Sequence, residues 1–404
     1  MTITNQIRGY QLHEVRLDES LMTPFYRQKV AEPYTLFASK FIGQDLPLFW
    51  DIVTISGGTS TYSDSTIEME VASAGDIVIR QTFEHFNYQS GKGQTAIIAA
   101  ELTLETDVSK MLGYYSSGTS SPYNTNYDGC YWSNNGIVVY ANVAKDGVIN
   151  SVEQSDWNYD KMDGTGPSGL TVDWSKGQVF VIDFEWLGYG TVRFGIFIGG
   201  IHYLVHKFEH ANYFTGTYSL SPNQPLRLEI RSTGGAGILT SGSTAVLSEG
   251  QEQDTGIARS FVRSDKLDAN TVGVTYAGIG IRMKSDFHDS RISLGSFSAF
   301  TSTLTDVAQY EIRLNPTISG VFTYNDQTNS PVQVAEGDTD NVVTGGTILN
   351  AGILAPQIPL EVVQILRSPG TAIDGTLDEI VLCFTPLIGN NQDIYHTLTW
   401  KELF

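Results

Sequence analysis

Two carboxylates, Asp183 and Glu185, alternate with large apolar residues in the run 178–186. Because residues i and i+2 of a strand point to the same side, this run predicts a strand whose polar face carries both carboxylates. The opposite face carries only apolar side chains, those of Phe180, Ile182, Phe184 and Trp186. Two carboxyl groups that flank a glycosidic bond are the machinery of glycoside hydrolysis, so hydrolysis is the first chemistry to consider.

The residue two positions before Asp183 argues against hydrolysis. Laminarinase-type jelly-roll glycosidases carry the pattern Glu-x-Asp-x-Glu on a sandwich strand, where the first Glu is the nucleophile and the last is the general acid/base. Val181 stands at the position of the first Glu. Without that nucleophile we expect a protein that is not an enzyme and has no catalytic residues.

The segment that follows predicts a three-stranded meander. A hairpin turn at 188–190 would set Glu185 opposite Arg193, and a second turn at 199–200 would set Arg193 opposite His206. A cross-strand ion pair that contributes at most about 1 kcal/mol is the simplest interpretation of this row. A ligand-binding face is the alternative, and its candidate residues are Asp183, Glu185, Arg193 and His206. The same face would also carry Phe197, His202 and Leu204.

Three histidines, His202, His206 and His210, are spaced four residues apart, which suggests a metal site if the segment is a helix. On a strand, His202 and His206 would be separated by about 13 Å, too far for both to bind one metal ion. The strand pattern is the better supported, so we predict no metal site and no cofactor.

Two further sequence patterns each have two interpretations. The loops 158–164 and 336–341 contain acidic residues that could bind calcium, although an Asp-Gly turn bonded to its own backbone explains them equally simply. The stretch 114–132 is rich in tyrosine and could form a sugar-stacking surface, or could pack beneath a long loop.

The overall charge excludes several classes of partner. The chain has 404 residues, with 44 acidic against 24 basic side chains and a net charge of -20. This balance argues against binding to nucleic acid or to an anionic membrane surface. No apolar run reaches the ~18–20 residues of a membrane span, and the first 20 residues contain no signal-peptide pattern. The two cysteines, Cys130 and Cys383, are far apart and predict neither a disulfide framework nor a zinc site.

Short alternating runs separated by Gly, Asn, Ser and Asp predict an all-β protein. We expect a jelly-roll or concanavalin-like β-sandwich over residues 46–306, preceded by an extended arm over 1–45. After Asp306 a new set of strand patterns begins, which predicts a smaller β-rich domain over 307–404.

The predicted arm carries many apolar and aromatic residues but neither strand alternation nor a helical stripe. We therefore expect it to bury these side chains against a neighbouring subunit, and a trimer is the assembly that we predict. The candidate oligomer contacts are Tyr10, Phe25, Tyr26, Tyr34 and Phe37.

Six short sequences, found in this order along the chain, resemble those of a known protein family. They are RQTF at 80–83, YQSGK at 88–92, WNYDKMDGTGPSG at 157–169, DFEWLG at 183–188, VRFG at 192–195 and HKFEHAN at 206–212. Over roughly residues 50–300 the chain resembles a family of virion structural proteins from tailed bacteriophages and other large DNA viruses. The resemblance implies a location in the virion and no catalytic residues.

Two functions follow as hypotheses. The first is a non-enzymatic virion structural protein, a fibre, spike, tail or capsid-decoration subunit that forms a homo-oligomer, binds other virion proteins and contacts the host surface. The alternative is a lectin-like carbohydrate-binding module that recognises a host-surface glycan through the polar face of the meander or through the tyrosine-rich loops. A glycan hydrolase is the least favoured reading because of Val181.

Overall fold

The alternating sequence patterns form strands along the described parts of the chain in the computed structural model. The structure describes residues 22–24, 27–123, 126–251, 255–354, 356–357, 360–363 and 368–403. Within these ranges the helical segments are two short 3-10 turns, Gln154–Asp156 and Ser285–Phe287. None of the described helical segments is long and apolar enough to cross a membrane. The prediction of an all-β protein is confirmed.

The described chain divides into two compact units. The first contains the described residues of 1–80, 88–118 and 122–252, and the second contains those of 81–87, 119–121 and 253–404. The boundary therefore lies near residue 253, earlier than the predicted boundary at 306/307. The physical reason is strand pairing, since the strands between 257 and 301 pair with strands near the C-terminus.

Strands up to residue 249 build two antiparallel sheets. In chain order they are β1 (Pro33–Ser39), β2 (Trp50–Ile55), β3 (Thr59–Ser63), β4 (Thr66–Val71), β5 (Ile77–Thr82), β6 (Gln94–Glu101), β7 (Val108–Ser116), β8 (Asp128–Asn134), β9 (Val139–Lys145), β10 (Val148–Glu153), β11 (Gly177–Phe184), β12 (Val192–Ile198), β13 (Ile201–Phe208), β14 (Leu226–Ser232) and β15 (Gly237–Glu249).

The first sheet has the order β13-β12-β11-β6-β15-β4-β3, with β1 also paired to β15, and the second has the order β10-β9-β8-β7-β14-β5-β2. The sheets pack face to face through aromatic side chains. The Trp132 ring of β8 lies 5.4 Å from the Phe180 ring of β11 and 5.2 Å from the Phe194 ring of β12. The predicted β-sandwich is therefore confirmed, and the apolar face of β11 lies in its core.

The second unit is also built from antiparallel sheets. Its strands are β16 (Ile257–Val262), β17 (Leu267–Ala269), β18 (Tyr276–Met283), β19 (Arg291–Thr301), β20 (Val307–Leu314), β21 (Thr317–Ile318), β22 (Asn325–Asp326), β23 (Val332–Glu336), β24 (Val343–Thr344), β25 (Thr347–Leu354), β26 (Leu360–Val363), β27 (Ile380–Ile388) and β28 (Gln392–Leu403).

One sheet of this unit has the order β16-β28-β19-β26, with β17 paired to β28, and another has the order β22-β23-β18-β27-β20-β25. Their apolar faces share one core, in which the Phe297 ring of β19 lies 4.7 Å from the Tyr310 ring of β20. The segment 81–87 belongs to this unit. The Thr371 N–H donates to the Phe83 carbonyl oxygen at 2.8 Å, and Arg291 forms a 2.8 Å ion pair with Glu84.

Candidate functional site

A recess of about 320 Å³ lies on the outer face of the first sheet. We call it the sheet cleft. Its apolar base consists of Ile97, Val181 and Leu247 from the neighbouring strands β6, β11 and β15. These residues point outward because they alternate with the core residues of the same strands. The cleft therefore offers an apolar surface on the side of the sheet that faces away from the sandwich core.

Polar groups line the cleft beside this base. They include Thr95, Asp183 and Glu249, and the Gly93 N–H donates to Oε2 of Glu249 at 3.2 Å. The cleft is also lined by Phe197 of β12 and His202 of β13, whose rings lie 5.1 Å apart. Phe197 is 36% exposed, so its ring is accessible to a ligand. Asp183, Phe197 and His202 lie on one face, as the sequence pattern predicts.

Asp183 is buried and holds three polar partners. Its Oδ2 pairs with Arg193 and with Nζ of Lys29, the latter at 3.2 Å, and its Oδ1 accepts a 3.0 Å hydrogen bond from the Thr95 hydroxyl. Burial alone would raise the pKa of Asp183, but the charges of Arg193 and Lys29 outweigh it and hold that pKa below its ordinary value. Asp183 is therefore ionised, with its charge balanced by two cations.

Glu185 lies just beyond the end of β11 and has a different environment. It is fully buried, and its Oε1 forms a 2.6 Å ion pair with Arg27. Burial raises the pKa of Glu185, and the hydrogen bond and charge of Arg27 oppose the rise. The two carboxylates of the Asp-x-Glu step therefore have pKa values displaced in opposite directions.

The predicted cross-strand partner of Arg193 is wrong. Arg193 lies opposite Asp183, not Glu185, because β11 and β12 pair two residues out of the predicted register. The connection spans 185–191: the Glu185 N–H donates to the Thr191 carbonyl oxygen at 3.3 Å. A shift of two residues leaves the same side chains on each face. The predicted faces of β11 and β12 are therefore correct, and only the cross-strand partners differ.

The predicted position of His206 is also wrong. A bulge in β13 leaves Val205 with no residue opposite it in β12, so His206 pairs with Phe194 and Lys207 pairs with Arg193. His206 consequently points into the sandwich, where its ring lies 4.5 Å from that of Phe208 and its Nδ1 accepts a 3.3 Å hydrogen bond from the Asn158 N–H. Burial lowers the pKa of His206 to about 4. His206 is therefore a neutral core residue and not part of the cleft.

The histidine spacing does not form a metal site. The strand prediction for His202 and His206 is confirmed by β13, and the bulge sends these two side chains to opposite faces of the sheet. His210 lies beyond the strand and bonds the Gly190 carbonyl oxygen through Nδ1 at 2.6 Å. Within the described ranges, no three His, Cys, Asp or Glu side chains are grouped to hold a metal ion.

The tyrosine pattern and the 158–164 loop have structural explanations. The tyrosines at 114, 115, 127 and 131 are buried, so these four rings pack inside the protein and do not form a sugar-stacking surface. Asp160 accepts hydrogen bonds from the backbone N–H groups of Met162 and Ser168 at 2.9 and 2.8 Å. That arrangement is a loop bonded to its own backbone.

The candidate oligomer contacts fall into three groups. Tyr10, Phe25 and Tyr26 lie outside the described residues. Tyr34 of β1 is 40% exposed. Phe37 of the same strand is buried within its own unit, where its ring lies 6.1 Å from that of Trp50. The predicted arm is corrected here, because residues 33–39 form a strand that pairs with β15 of the same chain.

The arm also supplies the site residues that sequence reasoning missed. Arg27 and Lys29 reach Glu185 and Asp183 across more than 150 positions of sequence, and Glu249 comes from the end of β15. No local pattern marks such long-range contacts, because a single basic residue in an irregular segment carries no periodicity.

Comparisons with known proteins add only distant structural likenesses. No protein-family model and no curated protein matches the sequence. Among solved structures, the chain is similar to a Bacillus licheniformis beta-glucanase, with 11% identity over 54% of this chain and 98% of that chain and a TM-score of 0.33. It is similar to the carbohydrate recognition domain of Emp47p, with 10% identity over 54% and 97% and a TM-score of 0.36. It is also similar to the exoplasmic/lumenal domain of VIP36 in a Ca²⁺/Man3GlcNAc-bound form, with 10% identity over 55% and 92% and a TM-score of 0.34.

Proposed function

We propose that the first unit is a carbohydrate-binding module and that its glycan lies in the sheet cleft. The observation that carries this proposal is the pairing of an apolar base and an accessible aromatic ring with a few polar groups in one recess of about 320 Å³. A sugar ring has an apolar C–H face and a periphery of hydroxyl groups, so it needs both kinds of surface. Mostly apolar lining with a few placed polar groups is typical of ligand sites.

Each part of the cleft has a role in this proposal. The Phe197 ring supplies the stacking surface for the apolar face of the sugar, and the His202 ring beside it extends that surface. The carboxylates of Asp183 and Glu249 accept hydrogen bonds from sugar hydroxyls. Ile97, Val181 and Leu247 exclude water from beneath the ring, which strengthens those hydrogen bonds.

The proposed activity is binding without cleavage. Val181 occupies the strand position from which a nucleophilic carboxylate would enter the cleft, and both neighbouring carboxylates are held in ion pairs. We expect no release of reducing ends from any glycan that the protein binds. Release by the wild type that disappears in Glu185→Gln would show instead that the protein is a glycosidase.

The experiment is a glycan array followed by calorimetric titration of the best ligand. We expect Phe197→Ala to weaken binding about tenfold or more, as expected for the loss of a central aromatic contact. Tyr395→Ala is the matched control, because Tyr395 is a similarly exposed strand aromatic, stacked on the Phe300 ring at 5.3 Å in the other unit. That control should bind like the wild type. An array without any bound glycan, or equal affinities for the two variants, would overturn the proposal.

We also propose that the protein is part of a virion. A virion protein that contacts the host surface could bind a glycan there. Its support is the ordered set of short sequences between residues 80 and 212. Mass spectrometry of purified particles tests this assignment, since absence of the chain would exclude it. The homo-oligomer remains a prediction, which light scattering of the purified protein would check.

A further inference from the structure

The described residues just before β1, which are 22–24 and 27–32, lie across the polar end of the sheet cleft and are held there by charge; we call them the segment. Arg27 pairs with Glu185 at 2.6 Å and also donates to the Gly91 carbonyl oxygen at 2.9 Å. Lys29 pairs with Asp183 at 3.2 Å. The Met22 carbonyl oxygen accepts a 2.6 Å hydrogen bond from Arg193. The segment is therefore attached beside the cleft through ion pairs and hydrogen bonds.

The charges at this end of the cleft balance only while the segment is in place. Three carboxylates, those of Asp183, Glu185 and Glu249, are matched by Arg27, Lys29 and Arg193. If the segment leaves, two of these three cations leave with it and only Arg193 of the three stays. Asp183 and Glu185 are 3% and 0% exposed, and buried charges without partners are strongly unfavourable. A cation that takes the place of the departing segment would therefore offset this cost.

Glu185 depends on the segment for its polar partners. Its Oε1 accepts from Arg27, and the Thr23 hydroxyl of the same segment also interacts with this carboxylate. A buried carboxylate needs such donors, so a ligand that displaces the segment must supply them. A compact ammonium group has three N–H donors and can serve both oxygens of one carboxylate.

We propose that this end of the cleft binds the protonated amino group of an amino sugar, which displaces Arg27 and Lys29. The inference rests on the proposed function, because it specifies which glycans the cleft takes. The recess with Phe197 holds the sugar ring, and Asp183 lines the same recess next to Lys29. The amino group therefore meets Asp183 first and Glu185 beneath the displaced segment. Arg27 and Lys29 act as internal competitors of the ligand.

The test compares two tetrasaccharides that differ in charge, the glucosamine tetramer and the N-acetylglucosamine tetramer. The Arg27→Gln/Lys29→Gln variant removes the competitor while leaving the carboxylates in place. We expect it to bind the glucosamine tetramer about tenfold more tightly than the wild type, the effect of releasing two partly exposed ion pairs. Its affinity for the acetylated tetramer should stay within about twofold, since that ligand carries no cation.

The matched control is Lys40→Gln/Lys176→Gln, which removes two positive charges from exposed positions of the same unit. It should bind the glucosamine tetramer like the wild type. Equal tightening in both double variants would show a general charge effect and overturn the proposal. If the wild type binds no glycan in a way that depends on Phe197, the proposed function itself is overturned. Glycan binding that depends on Phe197 but is indifferent to Arg27 and Lys29 would overturn only this inference. Thermal melts of both variants confirm that they are folded.

Discussion

At the scale of single residues, the stability of the first sheet depends on the ion pair between Asp183 and Arg193 on its polar face. Both side chains are buried, with 3% and 5% exposure. A buried pair adds little net stability, but loss of one partner leaves the other charge buried and unpaired. Lys29 at 3.2 Å from Asp183 compensates only in part, since that lysine is one-third exposed. The pair is therefore a structural requirement of this face.

We expect Arg193→Leu to lower the free energy of unfolding by about 3 kcal/mol, because it strands the Asp183 carboxylate. The benchmark is Phe194→Ala on the opposite face, where a core cavity should cost about 3–5 kcal/mol. The control is Lys176→Met, which breaks an exposed ion pair and should change stability by less than about 1 kcal/mol. Urea unfolding of the three variants measures these differences. A cost for Arg193→Leu as small as that of the control would mean that the pair is solvated.

At this scale the sequence indicated which side chains share a face but not which of them are partners. The alternation in 178–186 specifies two faces, and a shift of two residues leaves that alternation unchanged. The choice of Asp183 rather than Glu185 as the partner of Arg193 comes from the connecting loop. Glu185 is left for Arg27, a residue 158 positions away, which local patterns cannot reveal.

At the scale of elements, the loop between β11 and β12 decides the register. Its Gly188-Tyr189-Gly190 sequence resembles a short hairpin turn, yet the strands stop earlier and the loop is longer. Contacts from distant residues hold it: Gly188 accepts from the Tyr218 N–H at 3.0 Å, and Gly190 accepts from His210 at 2.6 Å. These contacts come from outside the hairpin, so hairpin chemistry alone could not predict the register.

Gly190 is the residue through which this loop can be tested. A Cβ at this position would lie 1.5 Å from the Glu185 carbonyl oxygen, so the loop cannot accept a side chain there without moving. We expect Gly190→Ala to lower the free energy of unfolding by about 1–3 kcal/mol or more. Gly177→Ala, at the other end of β11, is the control, because its Cβ would meet only ordinary contact at 4.0 Å. Equal thermal melting of the two variants would contradict the loop conformation.

The bulge at Val205 has an equally large effect within one element. One extra residue reverses the faces for the rest of β13, so His206 enters the core and Lys207 takes the position beside Arg193. Strand periodicity assumes an uninterrupted ladder, and the bulged strand β13 carries no Gly at 204–206 to signal the break, although Gly195 lies at the shift in β12. The prediction was accordingly correct for His202, before the bulge, and wrong for His206 after it.

At the scale of the whole molecule, the N-terminal region consists of parts with different roles. Residues 33–39 form a strand of the first sheet, and Phe37 and Phe41 are buried. We expect deletion of 1–45 to destabilise the first unit by about 3–6 kcal/mol, the burial energy of two aromatic side chains. Deletion of 1–31 keeps this strand and loses the Arg27 and Lys29 ion pairs, which the longer deletion loses as well, so it should shift the unfolding transition less. Circular dichroism during urea unfolding distinguishes the two truncations.

Light scattering of the same two truncations tests the predicted homo-oligomer. If the first 31 residues hold subunits together, the shorter deletion should lower the mass while the protein remains folded. A mass equal to that of the full chain would contradict a role for this segment between subunits. An unfolded 1–31 deletion would show that the segment is needed within its own chain.

Residues 81–87 and 119–121 belong to the second unit although they lie within the sequence of the first. During synthesis these short pieces emerge long before the strands with which they pack, so the second unit is completed only when its last strands are made. A fragment that starts at residue 253 would lack the Phe83 carbonyl that accepts from Thr371 and the Glu84 carboxylate that pairs with Arg291. Gene fusions and crystallisation fragments are therefore better designed around the intact chain, or as two co-expressed pieces that restore these contacts by complementation.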